Sequence, residues 1–415
     1  MDLNAWLQYL EGLHPKAIDL GLERVAQVRN VLLPDLRIHV ITVGGTNGKG
    51  STCAYLEAML SAAGYRVGLY TSPHLLRYNE RVRIAQHEVD DARLCAAFAA
   101  IEAARGQITL SYFEFGTLAA MWLFAQAAVD IAILEVGLGG RLDAVNIFDA
   151  DSAVITSIDI DHTEYLGTTR DQIAREKAGI FRARRPVICG EAYPPAILHA
   201  EALRLHADWR AIGDQYRYQP HAEGWDYRGT HTHLNLPLPL MRGDYQLANA
   251  ATAIAALESV ETAFPVTEWA IRQGLLSAQV PGRYQIAGQN PQRILDVAHN
   301  PHGANALAHS LAQSPVSGKT YAVFGMLADK DIAGVVAAMR DVVDVWLVAG
   351  LDVPRGATAG ILHETLTAAG IADVSSMENI AAAWIFACEH AQENDRICVF
   401  GSFYTVAAIL RLIAG

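Results

Sequence analysis

The stretch Arg37–Leu60, RIHVITVGGTNGKGSTCAYLEAML, constrains this chain more than any other. An apolar run ends in a loop of four glycines and one lysine, and a helical pattern starts directly after it. Glycines let backbone N–H groups converge without side-chain clashes, and the start of a helix adds partial positive charge. Strand, loop and helix in this order predict a phosphate loop, with Thr46, Asn47, Gly48, Lys49, Gly50 and Ser51 around the nucleotide. Lys49 has the reach for the outer phosphates. The spelling is nonetheless unusual, because Gly50 separates Lys49 from Ser51. In the common loop the hydroxyl next to the lysine touches Mg²⁺. Ser51 is displaced by about 100° around the helix, so the metal needs a hydroxyl from elsewhere.

Strand-like runs alternate with helical patterns over most of the chain, as in Tyr65–Thr71, Asp130–Val136 and Ser152–Ile158. Runs apolar on both faces point to a buried parallel sheet and an α/β class. The segment Tyr216–Leu236 breaks the pattern with aromatics, Gly and Pro, and reads as short antiparallel strands. QVPGRYQIAGQNPQ (Gln279–Gln292) reads as a linker, and a second α/β series follows. The expected architecture is a phosphate-loop domain over 1–281 and a linker over 282–292. A smaller Rossmann-like α/β domain follows over 293–415. The first domain should have a mostly parallel sheet, helices on both faces and a small antiparallel subregion.

The 415 residues suit two domains, and 52% hydrophobic residues supply two cores. The net charge of −12 argues against general nucleic-acid binding. An anionic substrate must then be drawn by local positive groups. No apolar run reaches the ~18 residues of a membrane span. Five scattered cysteines without a CxxC pair, and no secretory pattern at the start, suit a reducing cytoplasm.

Candidate metal ligands sit at the ends of predicted strands. Ser72 follows the run GLYT, Glu135 ends DIAILE, and His162 follows SAVITSIDID. An acid at such a position meets magnesium in nucleotide-binding sheets. Lys177 lies in a helical pattern with an apolar end. A buried, neutral lysine near metal can take up CO₂ as a carbamate, an additional oxygen ligand.

Seven ordered motifs now identify a likeness: GGTNGKGS, TSPHLLRYNERVRI, EVGLGGRLDAVN, DHTEYLG, REKAGIF, DVAHNPHGA and GSFYT. Together, and nearly end to end, they resemble the folylpolyglutamate synthase/dihydrofolate synthase family, closest to its bifunctional bacterial members. The likeness makes GKGS the family's own spelling. It implies two Mg²⁺ ions held with Ser72, Glu135 and His162, a carbamylated Lys177, and K⁺ as a further cation. Nucleotide contacts extend to Asn249, Arg283 and Asp296. A pterin pocket is implied at Ala17, Ile18, Asp19, Leu20, Phe113, Arg141, Leu142 and Asp143. His299, Ser402 and Tyr404 match the glutamate side. Lys49, Lys177, Asp296 and His299 form the expected catalytic set, with His299 a candidate base for the glutamate amine.

The activity implied is ATP-dependent joining of L-glutamate to dihydropteroate and to reduced folates through an acyl phosphate, by a monomer with no nucleic-acid or membrane partner. Two other readings stay open on the residues: a Mur-type amino-acid ligase acting on a UDP-sugar substrate, and a phosphate-loop ATPase switch that ligates nothing.

Overall fold

The computed structural model describes residues 1–16 and 19–414. Ala17 and Ile18 of the expected pterin set lie outside the described residues. Contacts divide the chain into two units, Met1–Leu240 with Leu247–Gln279, and Met241–Gln246 with Val280–Gly415.

In the first unit the strands are β1 (His39–Gly44), β2 (Val67–Tyr70), β3 (Val82–Ile84), β4 (His87–Glu88), β5 (Ile131–Glu135), β6 (Ser152–Ile155), β7 (Pro186–Cys189) and β8 (Asp208–Ala211). They form one sheet in the order β4-β3-β2-β5-β1-β6-β7-β8. β1 pairs in parallel with both β5 and β6, while the β2–β3 and β3–β4 pairings are antiparallel. The central strands β1, β2, β5 and β6 are buried nearly throughout, which is why their sequences lack a polar face. The chain leaves β1 toward β2 on one side and later returns past β1 to reach β6 on the other. Such a switch opens a crevice at the carboxyl ends of the strands. The loops after β1, β2, β5 and β6 all emerge at that end.

The Gly- and aromatic-rich segment forms a separate antiparallel sheet of β9 (Arg217–His221), β10 (Gly224–Arg228) and β11 (Thr232–Leu236). Its aromatic residues Trp225 and Tyr227 are buried.

The second unit holds β12 (Gln285–Gly288), β13 (Gln292–Leu295), β14 (Thr320–Phe324), β15 (Val345–Ala349), β16 (Val374–Met377) and β17 (Arg396–Phe400), in the order β12-β13-β17-β14-β15-β16. All pairings are parallel except β12–β13. The stretch 282–292 thus contains a strand as well as connecting chain. β12 has no apolar alternation of its own, so only its ladder to β13 makes it a strand.

The apolar run Phe115–Ala125 lies within the helix Tyr112–Gln126, ten of whose residues are buried. Ser111 caps it, with Glu114 closing a capping box. This helix packs on β2 where Gly68 leaves room for a ring: a Cβ there would stand 2.7 Å from Cγ of Phe124. Gly68→Ala is therefore expected to lose about 1–3 kcal/mol by overpacking. A urea midpoint unchanged from the parent chain would contradict this packing.

Candidate active site

The phosphate loop takes its shape from backbone freedom and from its neighbour β6. Gly45 has φ +149° and Gly48 φ +85°, regions that side chains disfavour. A Cβ on Gly45 would stand 1.9 Å from Thr156 Oγ1, and one on Gly48 would stand 2.5 Å from Asn249 Oδ1. β6 stops at Ile155, three residues before its apolar run ends, and the freed residues turn to the loop. Thr156 Oγ1 and Ser157 Oγ lie 2.6 Å and 3.0 Å from the Asn47 carbonyl, and the Asn47 N–H donates to Ser157 Oγ at 2.9 Å. The Thr46 hydroxyl donates to the Asp159 carbonyl and accepts from its N–H, both at 3.0 Å. Thr156, Ser157 and Asp159 were not among the residues expected from sequence. The signal was a hydroxyl pair ending the apolar run of a strand that pairs with β1.

Lys49 opens the helix Lys49–Ala62 and folds back onto the carbonyls of Gly45 and Thr46, at 3.1 Å each. Ser51 is buried in the first turn. Glu135, 4% exposed, ends β5 opposite Val43 of β1. The Ser72 N–H donates to Glu135 Oε2 at 3.2 Å. Gly50 leaves the helix start open toward this carboxylate: a Cβ there would stand 3.9 Å from Oε2. Ser72 and Glu135 are therefore brought together beside the loop.

His162 has φ +51° and caps the short helix Thr163–Leu166. Its side chain is 38% exposed, with Nε2 4.0 Å from Asp161 Oδ2. Among the described residues, no group of three or more His, Cys, Asp or Glu is arranged to hold a metal ion alone. Mg²⁺ takes one or two carboxylates and completes its shell with phosphate oxygens and water. The hard oxygens of Ser72 and Glu135 fit such an ion.

Lys177 is buried in the helix Arg170–Ala178, and its Nζ donates to the Gly45 carbonyl at 2.8 Å. Burial, reinforced by the charge of Lys49, lowers its pKa to about 7, against the pull of Asp161 and Asp143. The loop after β5 crosses this helix closely. A Cβ on Gly140 would meet the Glu176 carbonyl at 2.8 Å and Lys177 Cα at 3.0 Å. Arg141 is fastened there by its N–H to the Glu176 carbonyl at 2.8 Å and by its guanidinium to the Glu176 carboxylate at 3.0 Å.

Asp143 is buried and accepts from the N–H groups of Leu138 at 2.8 Å and Val145 at 3.0 Å. Burial pushes its carboxyl up to about 6, while those N–H groups and Lys49 oppose the shift. Phe113 lies against exposed Gly137, where a Cβ would stand 2.7 Å from the ring. Leu142 is half-buried beside Asp143, and Leu20 is exposed. Asp19 meets Arg24 at 2.6 Å and His14 at 3.1 Å.

In the second unit Asp296 follows β13 and is buried. Its two oxygens accept from the N–H groups of Tyr284 and Ala298, both at 2.8 Å. Burial raises its carboxyl pKa, partly offset by Arg283. The Arg283 guanidinium stands 5.6 Å from the centre of the Phe403 ring, and the His299 ring lies 5.9 Å from Phe403 on centroids. His299 Nδ1 is 2.8 Å from the Val297 carbonyl. Ser402, buried after β17, accepts from the Tyr404 N–H at 3.1 Å, while the Tyr404 side chain is exposed. Phe403 was passed over in the sequence, where GSFYT directed attention to its two neighbours.

Two family models match the chain, the Mur ligase middle domain over residues 43–257 and the Mur ligase glutamate ligase domain over 282–403. Dihydrofolate synthase/folylpolyglutamate synthase of Escherichia coli K12 is 50% identical over 99% of this chain and 95% of its own length.

The chain belongs to the dihydrofolate synthase/folylpolyglutamate synthase family.

Other relatives agree with this. The folylpolyglutamate synthase of Lacticaseibacillus casei is 34% identical over 92% of this chain and 91% of its own. The solved E. coli FolC complex with DHPP and ADP superposes with a TM-score of 0.95 at 49% identity, covering 100% of this chain and 98% of that one. A solved bifunctional folylpolyglutamate synthase/dihydrofolate synthase with Mn, AMPPNP and L-glutamate bound matches at a TM-score of 0.93 and 48% identity, covering 100% and 98%.

In this family member, Ser157→Ala removes the two bonds that the Ser157 hydroxyl makes to the Asn47 backbone and leaves the one from Thr156. Losing them should weaken nucleotide binding about tenfold, the equivalent of about one hydrogen bond. Calorimetric titration with ATP and Mg²⁺ measures this, and an unchanged Kd would remove Ser157 from the loop's support.

Proposed function

We propose that this chain uses ATP to join L-glutamate to dihydropteroate, giving dihydrofolate, and to the glutamate tail of tetrahydrofolates. The observation that carries the reading is the match along nearly the whole chain, at 50% identity, to an enzyme named for both activities. The site chemistry supports it. A carboxylate has no leaving group at neutral pH and does not acylate an amine. Attack of the substrate carboxylate on the γ-phosphorus forms an acyl phosphate and releases ADP. The glutamate amine then attacks the acyl carbon, the C–N bond forms, the amine gives up a proton, and phosphate leaves.

Each step gathers negative charge, and the loop amides with Lys49 offset it. Ser72 with Glu135, and His162, are the side chains that would hold two Mg²⁺ ions, whose charge neutralises the phosphates. Asn249 beside Gly48, with Arg283 and Asp296, completes the proposed nucleotide set. Phe113 offers a ring face to the pterin. Asp143, Arg141, Leu142 and the chain at Asp19–Leu20 complete that side. His299, Ser402 and Tyr404 are assigned to glutamate, with His299 taking the amine proton. We place the reaction in the cytoplasm and on a single chain. The five free cysteines suit a reducing compartment.

Lys177 is assigned the carbamate. A buried amine with its pKa lowered to about 7 is largely neutral at pH 8, and a neutral amine adds CO₂ with loss of one proton. As pH falls below about 7 the amine protonates and the adduct reverts. A ¹³C carbamate resonance from labelled bicarbonate should therefore be present at pH 8, decline toward pH 6 and be absent in Lys177→Ala. Lys177→Ala should also lose at least about a hundredfold in turnover, a loss of about 3 kcal/mol in transition-state stabilisation. Full turnover in that variant would refute the assignment.

The decisive assay is ADP release with L-glutamate and either dihydropteroate or a tetrahydrofolate. Both should support it, and a UDP-muramyl substrate should not. ADP release that ignores glutamate would instead favour the ATPase switch.

A further inference from the structure

Two pieces of chain assigned to the pterin, Asp19–Leu20 and Phe113, lie far apart in sequence. One arginine connects them. Arg24, near the start of the helix Glu23–Leu32, places Nη1 2.6 Å from Asp19 Oδ2. Its Nη2 donates to the Asp19 carbonyl at 3.4 Å and to Glu114 Oε1 at 3.0 Å. Glu114 is buried, and its other oxygen accepts the Ser111 N–H at 2.7 Å. That bond closes the cap of the helix Tyr112–Gln126, whose second residue is Phe113. His14 adds a parallel tie, with Nε2 3.1 Å from Asp19 Oδ2 and Nδ1 2.9 Å from Thr109 Oγ1, just ahead of the same cap.

The Asp19 carboxylate is thus already engaged by Arg24 and His14, and by Lys16 at 3.5 Å. Burial works to raise its pKa, yet the charge of Arg24 and the bonds from His14 and Lys16 hold it below the usual value. An acid so occupied shapes its own loop and has little left to offer a ligand.

We propose that Arg24 and Glu114 form a strut that positions the Asp19–Leu20 segment against the helix start bearing Phe113, and so sets affinity for the pterin substrate. Both are positioning residues: neither is assigned a contact with substrate. The inference rests on the pterin assignment of Asp19–Leu20 and Phe113. The fork geometry matters, because one planar guanidinium serves two carboxylates and a carbonyl, and a lysine ammonium does not span the same set.

The test is steady-state kinetics of Arg24→Lys, Glu114→Gln and the double variant, with dihydropteroate, ATP and L-glutamate each varied in turn. Glu114→Gln keeps a carbonyl oxygen for the Ser111 N–H, so the helix start survives even if Arg24→Lys folds poorly. Each single variant should raise KM for dihydropteroate about tenfold. The kcat, the KM for ATP and the KM for glutamate should stay within about twofold. The double variant should be no worse than the singles, because both remove one strut. An unchanged dihydropteroate KM in Glu114→Gln overturns the proposal, and so does a parallel loss in all the KM values and kcat, which marks general destabilisation. A parent chain that fails to turn over dihydropteroate overturns the functional reading instead, and is seen before any variant is made.

Discussion

The structure of the first unit depends on the glycine turn that follows β1, where the φ values of Gly45 and Gly48 favour glycine. Such a loop turns its carbonyls outward, and each then needs a donor. The protein provides them from three directions. Thr156 and Ser157 serve the Asn47 carbonyl, Lys49 serves Gly45 and Thr46, and Lys177 serves Gly45. The early end of β6 follows from this. Residues that would have extended the ladder to β1 are diverted to hold the loop that β1 leads into. The left-handed Gly48 and the close approach of Asn249 follow as well, since a side chain at either glycine would displace the groups that fix it.

The same crowding sets the electrostatics. Lys49 and Lys177 converge on one carbonyl, and the more deeply buried amine, Lys177, loses affinity for its proton. Nearby acids do the reverse: Asp143 is pushed up to about 6 by burial while Lys49 restrains it. The chain carries a net charge of −12, so the whole-molecule field does not attract a nucleotide. In the site proposed above, the attraction is assigned to Lys49 and the loop N–H groups, acting over short distance.

The second unit repeats the principle with different chemistry. Asp296 at the end of β13 spends its oxygens on backbone N–H groups and so fixes the turn toward His299. Phe403, at the start of the last helix, lies within ring-contact distance of both Arg283 and His299. One apolar ring thus lies beside both side chains.

The sequence by itself determined the α/β class, the phosphate loop and the family. Each is written locally, in apolar runs bounded by glycine and in motifs a few residues long. It also pointed to Ser72 and Glu135 at the ends of apolar runs, while Lys177, in a helical pattern, was marked mainly by the family likeness. Only the tertiary structure decided how these groups meet. Strand order is non-local, so the hydroxyl pair in Ser152–Ile158 acquires its meaning only once β6 lies beside β1 and turns Thr156 and Ser157 to the loop. β12 was hidden because a short edge strand without apolar alternation exists only through its partner. Arg24 and Glu114 were hidden for a related reason: an ion pair spanning 90 positions leaves no periodicity, and its energy depends on a distance that folding alone creates.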